Sequence, residues 1–234
     1  MNDTYPIGHV LTGPVAPLGD GGAVSGMHKR PMHETVRVTP TGLATDAQAD
    51  LKVHGGPEKA IHHYPFDHYA AWRDELPPRP LLDEAGAFGE NLSTTGLMET
   101  NVAVGDIFRL GTAVLQVSQG RQPCWKLNLR FDTKDMALRL QQSGRTGWYY
   151  RVLEEGDVRP GDALERIDRV TPEWTIERIW RILFVDRLDY ASLLAMSELP
   201  TLAEGWRRHA RRRLESKSVE DWSKRLHGHA PTQD

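Results

Sequence analysis

Four short stretches of this chain carry side chains whose types and spacing can do chemistry. In Arg121-Gln-Pro-Cys-Trp-Lys-Leu127 a cysteine follows a β-rich run and a proline, with Arg121 and Lys126 on either side. Nearby cations favour a thiolate, the form of cysteine that attacks an electrophile or ligates a metal. The flanking charges argue against the deep burial in which a free cysteine is inert. Upstream, Asp46 to Pro65 gathers Lys52, His54, Gly55, Lys59, His62 and His63 around a Gly-Gly-Pro turn. Paired glycines let backbone amides approach an anion, although the same stretch taken alone reads equally well as a surface hairpin. A zinc-type site from its histidines is disfavoured, because neighbours on a strand point to opposite faces. In Phe88-Gly-Glu-Asn-Leu92, Asn91 offers both a donor and an acceptor or simply closes a turn. In Gly144 to Val152, Arg145 and Arg151 have the fork geometry that grips phosphate. Trp148 and Tyr149 there are able to cover a ring, with at least one aromatic of the stretch expected in the core.

These stretches need a scaffold, and the sequence divides into two textures. Up to about Val170, Gly and Pro recur between short β-branched runs, as in an all-β barrel or sandwich with long loops. Val104 to Val117 is a hairpin that turns at Gly111-Thr112. Gly105-Asp106 and Gly161-Asp162 open two similar strands. Two helices interrupt the β region, one carrying Phe66, Tyr69, Trp72 and Leu76, the other Met136 and Leu140 between Thr133 and Gly144. Beyond Val170 the spacing is helical. Thr171-Pro172, Asp189 and the Thr201/Glu204 pair predict three helix starts. The boundaries expected are 1–168 for the β domain, 169–215 for a three-helix annex and 216–234 for a tail, partly disordered, with Leu226 to Asp234 frayed.

Composition narrows the function classes. A formal net charge of -3 over 234 residues gives no general pull toward nucleic acid or acidic membranes. The run Arg207 to Arg213 reads as a solvated face or a partner surface of the last helix. Nothing approaches the roughly 18 consecutive apolar residues of a membrane span, and the N-terminus lacks a secretory pattern. One cysteine forms no intrachain disulfide and no four-thiolate cluster, and it fits a reducing compartment, so the expected location is cytoplasmic.

Taken together, the stretches Gln48 to Ile61, Phe88 to Leu92, Gly105-Asp106, Arg121 to Leu127 and Gly144 to Val152 resemble the MOSC family in order. The family is named for the C-terminal domain of molybdenum-cofactor sulfurase. The three-helix annex is similar to that of its YiiM-type branch, and the resemblance spans roughly Ile7 to Leu214. It implies a mainly β fold, a MOSC-type β-barrel core with a few helices followed by the annex. It also implies a molybdenum cofactor (molybdopterin) with Cys124 as molybdenum ligand. The activity implied is reduction of N-hydroxylated compounds such as 6-hydroxylaminopurine, with His54 assisting Cys124 in catalysis. Lys52, His54, Gly55, Lys59, His62, Asn91, Arg121, Gln122, Arg145 and Arg151 would surround the cofactor, Asn91 and Gln122 reading the pterin or substrate. No iron–sulfur spacing and no G-x-G-x-x-G fingerprint occurs, so electrons are expected from a separate reductase. The partners expected are thus an N-hydroxylated small molecule and that reductase, without stable nucleic acid or membrane binding; a homodimer is an open option. Two rival readings remain: a non-catalytic cofactor carrier, and a sulfur carrier using a Cys124 persulfide.

Overall fold

The computed structural model describes residues 3–50 and 55–228. Among these residues seven strands close a barrel: β1 (Asp3–Thr12), β2 (Ile61–His63), β3 (Leu92–Thr94), β4 (Asp106–Leu110), β5 (Ala113–Gly120), β6 (Trp148–Glu154) and β7 (Ala163–Arg169). Their order is β7-β4-β5-β6-β2-β3-β1, and β1 returns to β7 with Tyr5 opposite Leu164. Only β2 and β3 run parallel, through His63 and Leu92. Closure removes the unpaired edges of an open sheet. The strands are short and alternate, so Phe108, Leu115, Val117, Trp148, Tyr150 and Leu164 fill the interior without exposure.

The hairpin turns where the sequence places it, at Gly111-Thr112 between β4 and β5. Gly105 and Gly161 both take a positive φ (86° and 90°) just before their strands, a conformation that glycine adopts without penalty. Asp106 then sits fully buried, accepting the Ala103 amide (2.9 Å) and Arg169 Nε (3.0 Å). Burial pushes its carboxyl upward, against those bonds.

The helices are α1 (Asp67–Glu75), α2 (Lys126–Arg130), α3 (Met136–Ser143), α4 (Ile176–Phe184), α5 (Tyr190–Glu198), α6 (Glu204–Ser216) and α7 (Ser223–His227). A second apolar cluster, with Trp72, Phe88, Phe131 and Leu140, joins α1 and α3 beside the barrel. Two expected helix starts are displaced. Thr175, not Thr171, caps α4 by accepting the Arg178 amide, because Thr171 spends its hydroxyl on the Val104 carbonyl in the barrel. Thr201 likewise caps nothing: α6 starts after Ala203, whose amide bonds Ser118 on β5. Asp189 caps α5 as its position predicts, accepting from Ala191 and Ser192.

The tail is docked over 218–228 through a few residues, with Leu226 buried in the second cluster beside Trp222, while 229–234 of the stretch expected to fray lie outside the described residues. Arg213, without exposure, secures the segment through Glu220 (2.8 Å) while also donating to the Leu183 carbonyl. A lone leucine in a polar stretch shows no period, so only the docked structure reveals it.

Candidate functional site

The site forms on the outer wall of the barrel, where β2 and β6 pair His62 with Tyr149 and His63 with Trp148. Strand alternation sends each pair to one face. His63 and Trp148 point inward and stack at 4.4 Å. His62 and Tyr149 point outward, their rings 4.9 Å apart, and line a pocket.

His63 is bonded inside the barrel to the Tyr150 hydroxyl (3.1 Å) and Thr94 Oγ1 (3.0 Å). Burial depresses its pKa from 6.5 to about 3. The unfolded chain therefore takes up a proton near pH 6.5 that the folded chain refuses until about pH 3. The neutral ring's full stabilisation is present above pH 6.5 and is lost as pH falls through that window. His63→Gln is expected to flatten the decline of unfolding free energy between pH 6.5 and 3 by about 1.4 kcal/mol per pH unit. Denaturant titrations across that range check this, and parallel slopes in both proteins would contradict it.

Loops build the rest of the pocket. At the end of β5, the Arg121 amide donates to the Gly147 carbonyl (3.0 Å), which brings Arg121, Gln122 and Cys124 beside His62 and Tyr149. The Gly147 amide in turn donates to Glu99 Oε1 (2.7 Å), and Glu99 Oε2 meets His68 Nε2 at 2.7 Å. This buried pair anchors the 146–148 turn to α1. From the other side, Glu90 accepts the Tyr69 hydroxyl and the Gly86 and Phe88 amides, shaping the loop that presents Gly89 and Asn91.

Six of the residues expected at the site meet here: Lys59, His62, Asn91, Arg121, Gln122 and Cys124. Asn91 lines the pocket but its amide belongs to the frame. Its Oδ1 accepts the His62 amide (3.0 Å), and its Nδ2 donates to the Leu11 carbonyl (3.0 Å) and Asp46 (2.9 Å). That leaves it positioning its neighbours where it was expected to read a ligand. Gly55 opens the turn into Pro57–Lys59 without lining the pocket. Lys52 and His54 lie outside the described residues.

Arg145 and Arg151 are not brought to the pocket. Arg145 Nη2 donates to both carboxylate oxygens of Glu75 (2.8 Å each), and the guanidinium lies 3.8 Å above the Trp72 ring. Arg151 shares the face of Tyr149 but is intercepted by Glu58 (2.6 Å) and Gln116 (2.8 Å). Fork geometry suits carboxylates as well as phosphate, and the carboxylates here come from distant sequence that spacing does not reveal.

The residues missed by sequence reasoning, Ser25 to Lys29, help to form the pocket's other wall. Ser25, Gly26, Met27 and Lys29 face Asp46 to Ala49. Lys29 pairs with Asp46, and both side chains are nearly sealed from solvent. Asp46 also accepts the Gly13 amide (2.9 Å). A Cβ on Gly26 would lie 2.1 Å from the Ala47 carbonyl oxygen, so only glycine lets the two loop segments of this wall meet. The 46–49 side opens the Asp46–Pro65 stretch already singled out, whereas 25–29 has no periodicity that would have marked it.

Four cations (Lys29, Lys59, Arg121 and Lys126) and one carboxylate (Asp46) line the pocket among the described residues. Burial lowers the pKa of Lys59, opposed by the charges of Asp50 and Cys124. Burial, then Arg121, holds His62 well below the usual histidine range, so its ring is neutral at pH 7. Three donor-capable nitrogens in this wall, His62 Nε2, Arg121 Nη1 and Gln122 Nε2, are buried without a protein partner among the described residues. Buried polar atoms are ordinarily satisfied. Three such nitrogens on residues that line one cationic pocket, next to a half-buried thiol, fit a polar anionic ligand with a soft atom near Cys124.

Residues 50–165 match the family model for the MOSC domain, and residues 174–217 match the model described as YiiM-like, 3-alpha helix domain. Protein YiiM of Escherichia coli strain K12 is 41% identical over 227 residues, covering 96% of this chain and 99% of that protein. The chain belongs to the MOSC family. A crystal structure of YiiM from Escherichia coli superimposes with a TM-score of 0.81 at 36% identity, covering 96% of this chain and 98% of that one. A protein of Gibberella moniliformis described as a reductase is 39% identical over 181 residues, 77% of this chain but 32% of that longer protein. The MOSC barrel and the YiiM-like helices are thus both present, and the pocket lies on the barrel wall. Among the described residues no helix is long and apolar enough to cross a membrane.

Proposed function

We propose that this protein is a molybdenum-cofactor-dependent reductase of N-hydroxylated compounds, 6-hydroxylaminopurine among them, supplied with electrons by a separate reductase. The observation that carries the reading is that His62, Arg121 and Gln122, which line the pocket with Cys124, each bury a side-chain nitrogen that has no partner among the described residues. Molybdopterin presents a phosphate, a polar pterin and a metal with a place for a soft thiolate. Arg121, Lys59 and Lys126 match the phosphate by charge. Gln122 and His62 match the pterin by hydrogen bonding, and Cys124 Sγ matches the metal. When bound, the cofactor supplies the two-electron chemistry that removes oxygen from nitrogen.

The chain's own residues hold and orient. Gly147 and Glu99 fix the Arg121 backbone, and the Asn91 amide fixes that of His62. Overall R–NH–OH takes two electrons and two protons and leaves as R–NH2 and water. The family's name and the Gibberella relative's description support a redox role.

The test is turnover of 6-hydroxylaminopurine by protein purified from a cofactor-competent host, with reduced methyl viologen as donor. Two viologens oxidised per adenine formed is the expected result. Molybdenum-replete protein without turnover would overturn the reductase reading in favour of a cofactor carrier. A persulfide on Cys124 in molybdenum-free protein would favour a sulfur carrier.

A further inference from the structure

The peptide around Cys124 is held from both sides by a segment a hundred residues further along the chain. The Arg225 guanidinium donates to the Pro123 carbonyl and to Gln141 Oε1 on α3. The Trp125 amide donates to the Arg225 carbonyl (2.7 Å), and Asn128 Nδ2 donates to the Leu226 carbonyl (2.9 Å). The Trp125 ring packs so closely on Gly228 that an added Cβ would come within 3.2 Å. Trp180 Nε1 on α4 donates to the Gln141 carbonyl (2.7 Å), tying the annex to the same junction. Three elements distant in sequence thus meet at the peptide that carries the pocket's thiol. Residues 218–228 lie beyond the last residue matched by either family model, 217.

We propose that Arg225 is a positioning residue for Cys124: delivered by the docked tail, it fixes the Pro123–Cys124 peptide and so aims the thiol into the pocket. The proposal rests on Cys124 being the working residue of that pocket. Arg225 is not itself among the pocket's lining residues, so it acts through the peptide. Its guanidinium lies 4.4 Å over the Trp222 ring, which fixes its direction of approach. Without the arginine, the Pro123 carbonyl and the Gln141 side chain lose a charged donor inside a half-buried junction, and the loop opens locally.

The test is hydrogen exchange on the full-length protein free of cofactor, comparing wild type with Arg225→Ala and Arg225→Lys. Arg225→Ala is expected to accelerate exchange of the amides at 124–128 at least about tenfold while leaving β5 and β6 unchanged, since a hydrogen bond to a charged group controls only local opening. Arg225→Lys, which keeps a charged donor, is expected to restore most of the protection. Wild-type protection in Arg225→Ala would overturn the proposal. So would equal acceleration throughout the barrel, or a lysine variant no better than alanine. Should Arg225→Ala fail to fold, Arg225→Gln is read by the same criteria. Because no cofactor or substrate enters this measurement, its outcome is separate from the fate of the reductase reading.

Discussion

Cys124→Ala is expected to lower turnover of N-hydroxylated substrate at least about 100-fold. Loss of a residue that merely supports a metal ligand already costs about 10–100-fold. The fold should scarcely register the change. Cys124 is half-buried, and its contribution to local structure is its carbonyl, which accepts the Leu127 amide at 2.9 Å. Alanine keeps that carbonyl and the Cβ. A shift in Tm within about 2 °C is therefore expected, as for other substitutions that empty no core volume. Steady-state assays beside a thermal melt decide the point. Turnover within a few-fold of wild type would remove the thiol from the mechanism.

A large loss of stability from a single small change is expected at Gly147. This residue has φ +71°, and a Cβ placed on it would lie 2.3 Å from the His63 carbonyl oxygen and 3.1 Å from the Tyr64 ring. Gly147→Ala is thus strained twice, by a left-handed backbone worth about 1–2 kcal/mol and by a clash worth about 1–3 kcal/mol. A loss of about 3 kcal/mol in denaturant unfolding is expected. Gly21→Ala, at a position with open space around it and no left-handed φ, should change stability by less than about 0.5 kcal/mol. The Gly147 change should also weaken the pocket, because its carbonyl receives the Arg121 amide and its amide is held by Glu99. Equal stability of the two variants would contradict the close packing of this turn.

Much of the scaffold is visible in the sequence because its signals are local. The Gly111-Thr112 hairpin, the two Gly-Asp strand openings and the Asp189 cap each depend on neighbours within a few residues, and each stands where expected. The alternation of β2 and β6 was equally legible, and it separates core His63 from pocket His62. Signals whose partners are remote behaved differently. Thr171 has the sequence context of a cap, but a barrel carbonyl claims its hydroxyl. Arg145 and Arg151 have the chemistry of phosphate ligands, but Glu75 and Glu58 reach them first. Lys29 and Arg225 gave no sign of their importance. Each sits in a stretch without periodicity, and each becomes significant only through a contact made across the chain.

Among possible measurements, the molybdenum and pterin content of wild-type protein from a cofactor-competent host bears most directly on the account. About one molybdenum and one pterin per chain is predicted, as a single-site cofactor with thiolate ligation requires. In Cys124→Ala the metal should be lost or loosened. Wild-type protein carrying neither metal nor pterin would contradict the account and turn attention to sulfur on Cys124.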